Sequence, residues 1–180
     1  ISYRAVRNHG TIGGSVALAD PAADWPACLM ALGAGVRIAG AGNARTQPVA
    51  EFVRGTYETS LAPGEIILGF DVPRPEAALR WGFAKVARKS GAFATSMAFA
   101  VAHGRGGPAS VVLAAAAARP HLLPTVADRI SAPRQQVFQQ NALVEARAAD
   151  RELVGDPRAF AVAAPGLAQP LAIRLEAAGG

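Results

Sequence analysis

Pro73 and Pro75, separated only by Arg74, constrain this chain more than any other feature of its sequence. Each proline fixes φ and removes a backbone donor, so neither a helix nor a central strand runs through the pair. The chain is expected to divide there, at an extended, exposed connection, into residues 1–73 and 74–180. Before the break, glycines punctuate short apolar segments. Asp20-Pro21 reads as a helix start, with Asp capping free N–H groups and Pro in the first turn. Trp25, Leu29 and Leu32 then share one face of a helix ending at Gly33. Val36 to Ala39 reads as a strand, Gly40 to Asn43 as a turn and Arg45 to Val49 as the return partner. Glu65 to Val72 reads as a further strand after the turn Pro63-Gly64. Beyond the break, Arg80 to Ala87, Ala92 to Ala102 and Ser110 to Ala118 are strand candidates. The last two flank a hairpin loop, Gly104 to Gly107. A helical run is expected from Ser131 to Leu153, with Pro157, Pro165 and Pro170 interrupting the rest of the tail. Three antiparallel strands and then helices give an α+β fold.

Composition narrows the function. The 180 residues are 51% hydrophobic and 17% charged, enough to bury a core. A net charge of +5 suggests an acidic partner, but the arginines are scattered and aromatics make up only 6%, so nucleic acid is not expected. Cys28 is the single cysteine, and His9, His103 and His121 lie far apart. That rules against an internal disulfide and against a metal or iron–sulfur centre held by this chain alone. No apolar run has membrane length, and the first residues lack the order of a secretion signal, so a cytoplasmic protein without a transmembrane segment is expected.

The stretch Thr11-Ile12-Gly13-Gly14-Ser15 is the most informative. Taken alone it is most simply a tight turn before a helix. The alternative is a phosphate cradle, in which glycines let backbone N–H groups approach an anion and the two hydroxyls donate to it. Gly40-Ala41-Gly42-Asn43-Ala44-Arg45 lacks the third glycine of a dinucleotide fingerprint and runs into a strand, so it reads as a hairpin turn. Asp24 suits the first turn of its helix for the dipole alone. Lys85, in the alternating run Phe83-Ala84-Lys85-Val86, would ordinarily face water, and Cys28 would pack as a small hydrophobe. No triad or carboxylate pair stands out, so no catalytic acid–base residue is assigned.

Taken together, the segments resemble one family. Val6-Arg7-Asn8-His9-Gly10-Thr11-Ile12-Gly13-Gly14-Ser15, followed by Ala19-Asp20-Pro21-Ala22-Ala23-Asp24, is similar to the second FAD-binding loop of the flavoprotein (medium) subunit of molybdenum hydroxylases, the carbon monoxide dehydrogenase and xanthine dehydrogenase family. Phe52 to Thr59, Leu61 to Leu68 and Phe83 to Lys89 come next in the family's order, and the resemblance covers about residues 1–120. It implies the second half of a PCMH/CO-dehydrogenase-type FAD-binding domain in residues 1–73. A small C-terminal domain of three-stranded antiparallel sheet packed with helices would occupy 74–180. By the same resemblance, the FAD pyrophosphate would lie over Thr11, Ile12, Gly13, Gly14 and Ser15. Asp24 would make a polar contact with the cofactor, Ile67 a backbone and packing contact near the flavin, and Lys85 would reach toward the ring. The implied role is electron relay beside a molybdopterin-binding large subunit and a small subunit carrying [2Fe-2S] clusters. Family members begin with a further segment bearing a first glycine-rich loop, and this chain starts after it. The expectation is therefore a fragment, or a subunit completed by another chain. The alternative is a flavin-free structural subunit docking the iron–sulfur partner.

Overall fold

The structure is a computed structural model that describes residues 1–40, 42–74, 79–104 and 107–131, together with the two-residue strand 176–177. Its first element is a short helix α1 (Arg4–His9), followed by α2 (Ile12–Leu18) and α3 (Asp24–Ala31). Strands β1 (Gly35–Ala39) and β2 (Ala44–Pro48) form a hairpin, closed where the Gly40 amide donates to the Asn43 carbonyl and Gly42 takes φ +92°. Helix α4 (Val49–Phe52) leads into a small hairpin of β3 (Val53–Gly55) and β4 (Glu58–Thr59). Strand β5 (Ile66–Asp71) returns to β1 and completes an antiparallel sheet of order β2-β1-β5. Its entry turn has Pro63 and Gly64 at the centre, with Gly64 at φ +83° and the Glu65 amide bonded to the Ala62 carbonyl. That is the type II geometry these two residues favour.

The second sheet contains β6 (Leu79–Val86), β7 (Ser96–His103), β8 (Ala109–Ala114), β9 (His121–Leu122) and β10 (Glu176–Ala177), in the order β10-β6-β7-β8-β9. Helix α5 (Pro124–Ser131) packs on it. Strand β7 is buried along most of its length because both its faces are covered, which explains its nearly continuous apolar sequence. Strand periodicity sends Met97 and Val101 to one face, into a cluster with α3, while Ala100 points to the other, against Ala127 of α5. The α3-side cluster also gathers Val16, Val36, Ile38 and Phe52. One core therefore joins elements on both sides of the proline break. Backbone ties reinforce it: the Ala115 amide donates to the Pro21 carbonyl at 3.0 Å.

Four sequence expectations are corrected. The stretch from Thr11 to Ser15 is not a tight turn before a helix. It is the N-cap and first turn of α2, with both glycines inside the helix. Asp20 does not start α3, because its Oδ1 accepts from the Ala22 amide at 2.8 Å and closes a turn; the helix begins at Asp24. Strand β7 starts at Ser96 rather than Ala92, since Gly91 at φ +81° is part of the turn that precedes it. Strand β8 likewise stops at Ala114, where Ala115 adopts φ +64°. The expected helix from Ser131 to Leu153 and the breaks at Pro157, Pro165 and Pro170 lie outside the described residues beyond Ser131.

Candidate functional site

Thr11 has the extended backbone of an N-cap, and its Oγ1 accepts from the Gly14 amide at 2.9 Å. Helix geometry leaves the amides of Ile12 and Gly13 without a carbonyl four residues back. The two glycines differ. A Cβ on Gly14 would sit 3.0 Å from Thr11 Oγ1, whereas one on Gly13 would meet nothing within 4 Å. Open space therefore lies against Gly13, while Gly14 accommodates the cap. Ser15 is half-buried one turn on, beside Val16 in the core. Ile67 packs its side chain against the same core that holds Val16, and α2 rests on β5. Leu68, next along, is the extra residue of a bulge, because Arg37 pairs with Gly69 and Ile38 with Ile67.

The structure brings Asp24 and Lys85 together. Lys85 Nζ lies 3.1 and 3.2 Å from the two carboxylate oxygens, and the side chains are only 16% and 13% exposed. Asp24 is the first residue of α3, where the helix dipole favours a carboxylate. Lys85 pairs in register with Met97, whose side chain joins the α3-side core, and this strand face directs the lysine toward the helix rather than into water. The expectation of a water-facing lysine, drawn from alternation alone, is thus corrected. Cys28, one turn along α3, has its thiol pKa raised by burial and, second, by the Asp24 charge.

Lys85 also lines an open cavity of about 580 Å³, with Arg4, Arg7, Lys89, Ser90 and Tyr3 among the other walls. The volume is in the range of small-molecule sites, roughly 300–1,000 Å³. Its walls carry four cationic side chains and, among the described residues, no carboxylate. Arg7 fixes the N-terminal wall by donating to the carbonyls of Ile1 and Ser2 at 3.2 and 3.1 Å. Gly91, which also lines the cavity, abuts the Tyr3 ring so closely that a Cβ there would lie 2.7 Å from it. Thr11 to Ser15 do not line this cavity, so the expected site residues fall into two groups. Arg4, Arg7 and Lys89 were missed as site residues. Their signal was three basic side chains near the two ends of the resembling segments, visible only once the turn before β7 meets α1. Among the described residues no group of three metal-ligating side chains occurs, and no helix is long and apolar enough to cross a membrane.

Comparison with known proteins gives this arrangement its context. Residues 1–75 match the family model described as the FAD binding domain in molybdopterin dehydrogenase. The carbon monoxide dehydrogenase medium chain of Afipia carboxidovorans is 35% identical over 102 residues, covering 57% of this chain and 35% of that one. The nicotine 6-hydroxylase medium subunit of Paenarthrobacter nicotinovorans is 30% identical over 175 residues, 95% of this chain and 61% of its own length. Residues 1–75 thus match that FAD-binding domain family, and over 95% of its length the chain is similar to a medium subunit. Among solved structures, carbon monoxide dehydrogenase from Hydrogenophaga pseudoflava superposes with a TM-score of 0.75 at 30% identity, covering 92% of this chain and 60% of that one. The reconstituted enzyme from Oligotropha carboxidovorans gives 0.77 at 28% identity, over 93% and 61%. The α+β class inferred from sequence stands, and the chain spans between about a third and three-fifths of the length of these medium subunits.

The donor chemistry present fits the cofactor named by the family model. A pyrophosphate needs clustered cations and free amides. Cationic side chains line the cavity, and the amides of Ile12 and Gly13, outside that cavity, have no helical carbonyl partner.

Proposed function

We propose that this chain is part of the FAD-binding, electron-transfer subunit of a multisubunit molybdenum hydroxylase. In this reading a molybdopterin-binding large subunit oxidises the substrate and a [2Fe-2S] small subunit delivers electrons to this chain, which passes them to an external acceptor in the cytoplasm. The observation that carries the reading is Lys85, buried against Asp24 and facing a cavity walled by cations, within a chain similar to a medium subunit over 95% of its length. Bound FAD would supply two-electron acceptance and its redelivery.

The chain's own residues provide binding and electrostatics. Arg4, Arg7 and Lys89 make the cavity favourable for an anionic ligand. Thr11, Ile12, Gly13, Gly14 and Ser15 would hold the pyrophosphate through the amides of Ile12 and Gly13 and the two hydroxyls. Asp24, Ile67 and Lys85 would complete the binding set. Lys85 would place a positive charge near the ring, where a cation stabilises a reduced, anionic flavin. No side chain here is asked to move a proton, which suits a relay.

The test is to purify a tagged copy of this chain from its host and identify the chains and chromophores that accompany it. The reading expects molybdopterin-binding and iron–sulfur chains, and a flavin that bleaches when the complex is reduced anaerobically. Those same partner chains without bleachable flavin would instead establish the alternative, a structural subunit that docks the iron–sulfur chain.

A further inference from the structure

We infer that Tyr57 and Ala115 are positioning residues for the flavin site: their left-handed backbones clamp the connection between α2 and α3 and so set the spacing of the groups at its two ends. This rests on the flavin reading above, which assigns Thr11 to Ser15 at the start of α2, and Asp24 at the start of α3, to the cofactor.

Among the described residues, three that are not glycine have positive φ: Ala19 at 53°, Tyr57 at 57° and Ala115 at 64°. Left-handed backbone is unfavourable for a residue with a Cβ and persists only where the surroundings over-determine it. The three meet at one place. Ala19 is the cap that ends α2, and its carbonyl accepts from the Tyr57 amide at 3.1 Å. Two residues on, the Pro21 carbonyl accepts from the Ala115 amide at 3.0 Å. Tyr57 comes from the tip between β3 and β4, and Ala115 from the end of β8. Thr56 Oγ1 donates to the Ala118 carbonyl at 3.2 Å, so the two jaws are also tied to each other. Within the connection, Asp20 accepts from the Ala22 amide through Oδ1 and from the Ala23 amide through its carbonyl, at 2.8 and 3.0 Å. Residues 19–23 are thus held from both sides and from within.

The side chain of Tyr57 does not account for its strained backbone. It is 62% exposed, so its ring adds little packing. What the position contributes is its amide, aimed at Ala19. A residue with a Cβ has a far smaller left-handed basin than glycine, so that amide has little room to move. The clamp touches no part of the cofactor's assigned contacts. It acts by fixing how α2 leaves its cap and where α3 begins.

The experiment compares substitutions that keep the left-handed backbone with ones that oppose it, on the intact complex. The readouts are the rate at which FAD fluorescence appears on dilution and the visible circular dichroism of the bound flavin. Tyr57→Gly and Tyr57→Asn accept φ near 57° and are expected to release FAD at the wild-type rate. Tyr57→Val opposes that φ because its Cβ is branched. It is expected to release FAD about tenfold faster, the scale of a modest loss of preorganisation, and to change the dichroism. Ala115→Gly and Ala115→Val should repeat the contrast from the other jaw. The two valine substitutions together should accelerate release by less than the product of their single effects, since both act on one connection. Effects that multiply fully would show two separate paths and overturn the clamp. Equal loss in the glycine, asparagine and valine variants at position 57 would overturn it by showing that the ring itself matters. Wild-type release rates in both valine variants, even with less folded complex recovered, would overturn it as well, because the role would then be structural only. A wild-type complex without flavin would overturn the functional reading and this inference with it.

Discussion

Thr11, Gly13 and Gly14 show how far single residues can be read. Glycines next to hydroxyls were legible as a place where backbone is exposed, but their helical conformation was not, because glycine is a poor helix former and signals a turn. The cap at Thr11 overrides that propensity. Thr11→Ala is expected to lower stability by about 1 kcal/mol through loss of the cap, measured by urea unfolding. Gly13 gives a sharper test. Its Cβ position is open and its φ is not positive, so Gly13→Ala should raise stability by roughly 0.5–1 kcal/mol while lowering FAD content. A rise in stability with unchanged FAD content would remove the cradle. Asp24 and Lys85 were legible individually through the family resemblance, but their pairing was not, since nothing local reports a contact 61 residues away. Cys28 supplies a probe of that pair. Burial and the Asp24 charge both hold its thiol above its ordinary pKa, so it should react slowly with a thiol reagent at neutral pH. Asp24→Asn should speed that reaction modestly, because burial, the larger cause, persists.

Elements are stapled by side chains that pattern reading passes over. Arg45 on β2 donates to both Glu65 oxygens, from Nε at 3.0 Å and Nη2 at 2.8 Å, and Nη2 also reaches the Ser60 carbonyl. Gln47 bonds both Arg45 and Ser60. The Arg45 hydrogen bonds first, then the Ala62 amide, lower the Glu65 pKa from 4.5 to about 2. A carboxylate whose folded pKa is depressed stabilises the fold above its unfolded pKa, and that contribution is lost as pH falls. The clasp is therefore fully present above about 4.5 and fades toward 2. Glu65→Gln should flatten this acid limb of a stability–pH curve; an unchanged limb would show that other carboxylates dominate it. The turn before β7 makes a second element-scale contact, where Gly91 at φ +81° lies against Tyr3. Gly91→Ala both strains the backbone, at about 1–2 kcal/mol, and displaces the ring that walls the cavity. Lower stability and lower FAD content are expected together.

At the scale of the whole molecule, apolar runs and turn chemistry were enough to find β1, β2, β5, β6 and the hairpin of β7 and β8, since glycine and proline turns separate them. Helix α5 was missed because its eight residues lie just before the polar run that drew the helical assignment. The proline break marked a change of sheet, yet the cluster from Val16 through Met30 to Met97 and Val112 crosses it. Such packing depends on pairs that no local pattern encodes. Two tryptophans make the consequence measurable: with Trp25 and Trp81 each retained singly as the fluorescent probe, both sides should unfold in one coincident transition. Two separated transitions would show independent units. Phe52, fully buried in that cluster, should cost about 3–5 kcal/mol when changed to Ala. The central claim is that this chain contributes a flavin site, and the visible absorption spectrum of the protein purified from its host tests it most directly. The account predicts a flavin spectrum whose chromophore is released as FAD on denaturation. A colourless protein with this chain intact and folded would contradict it.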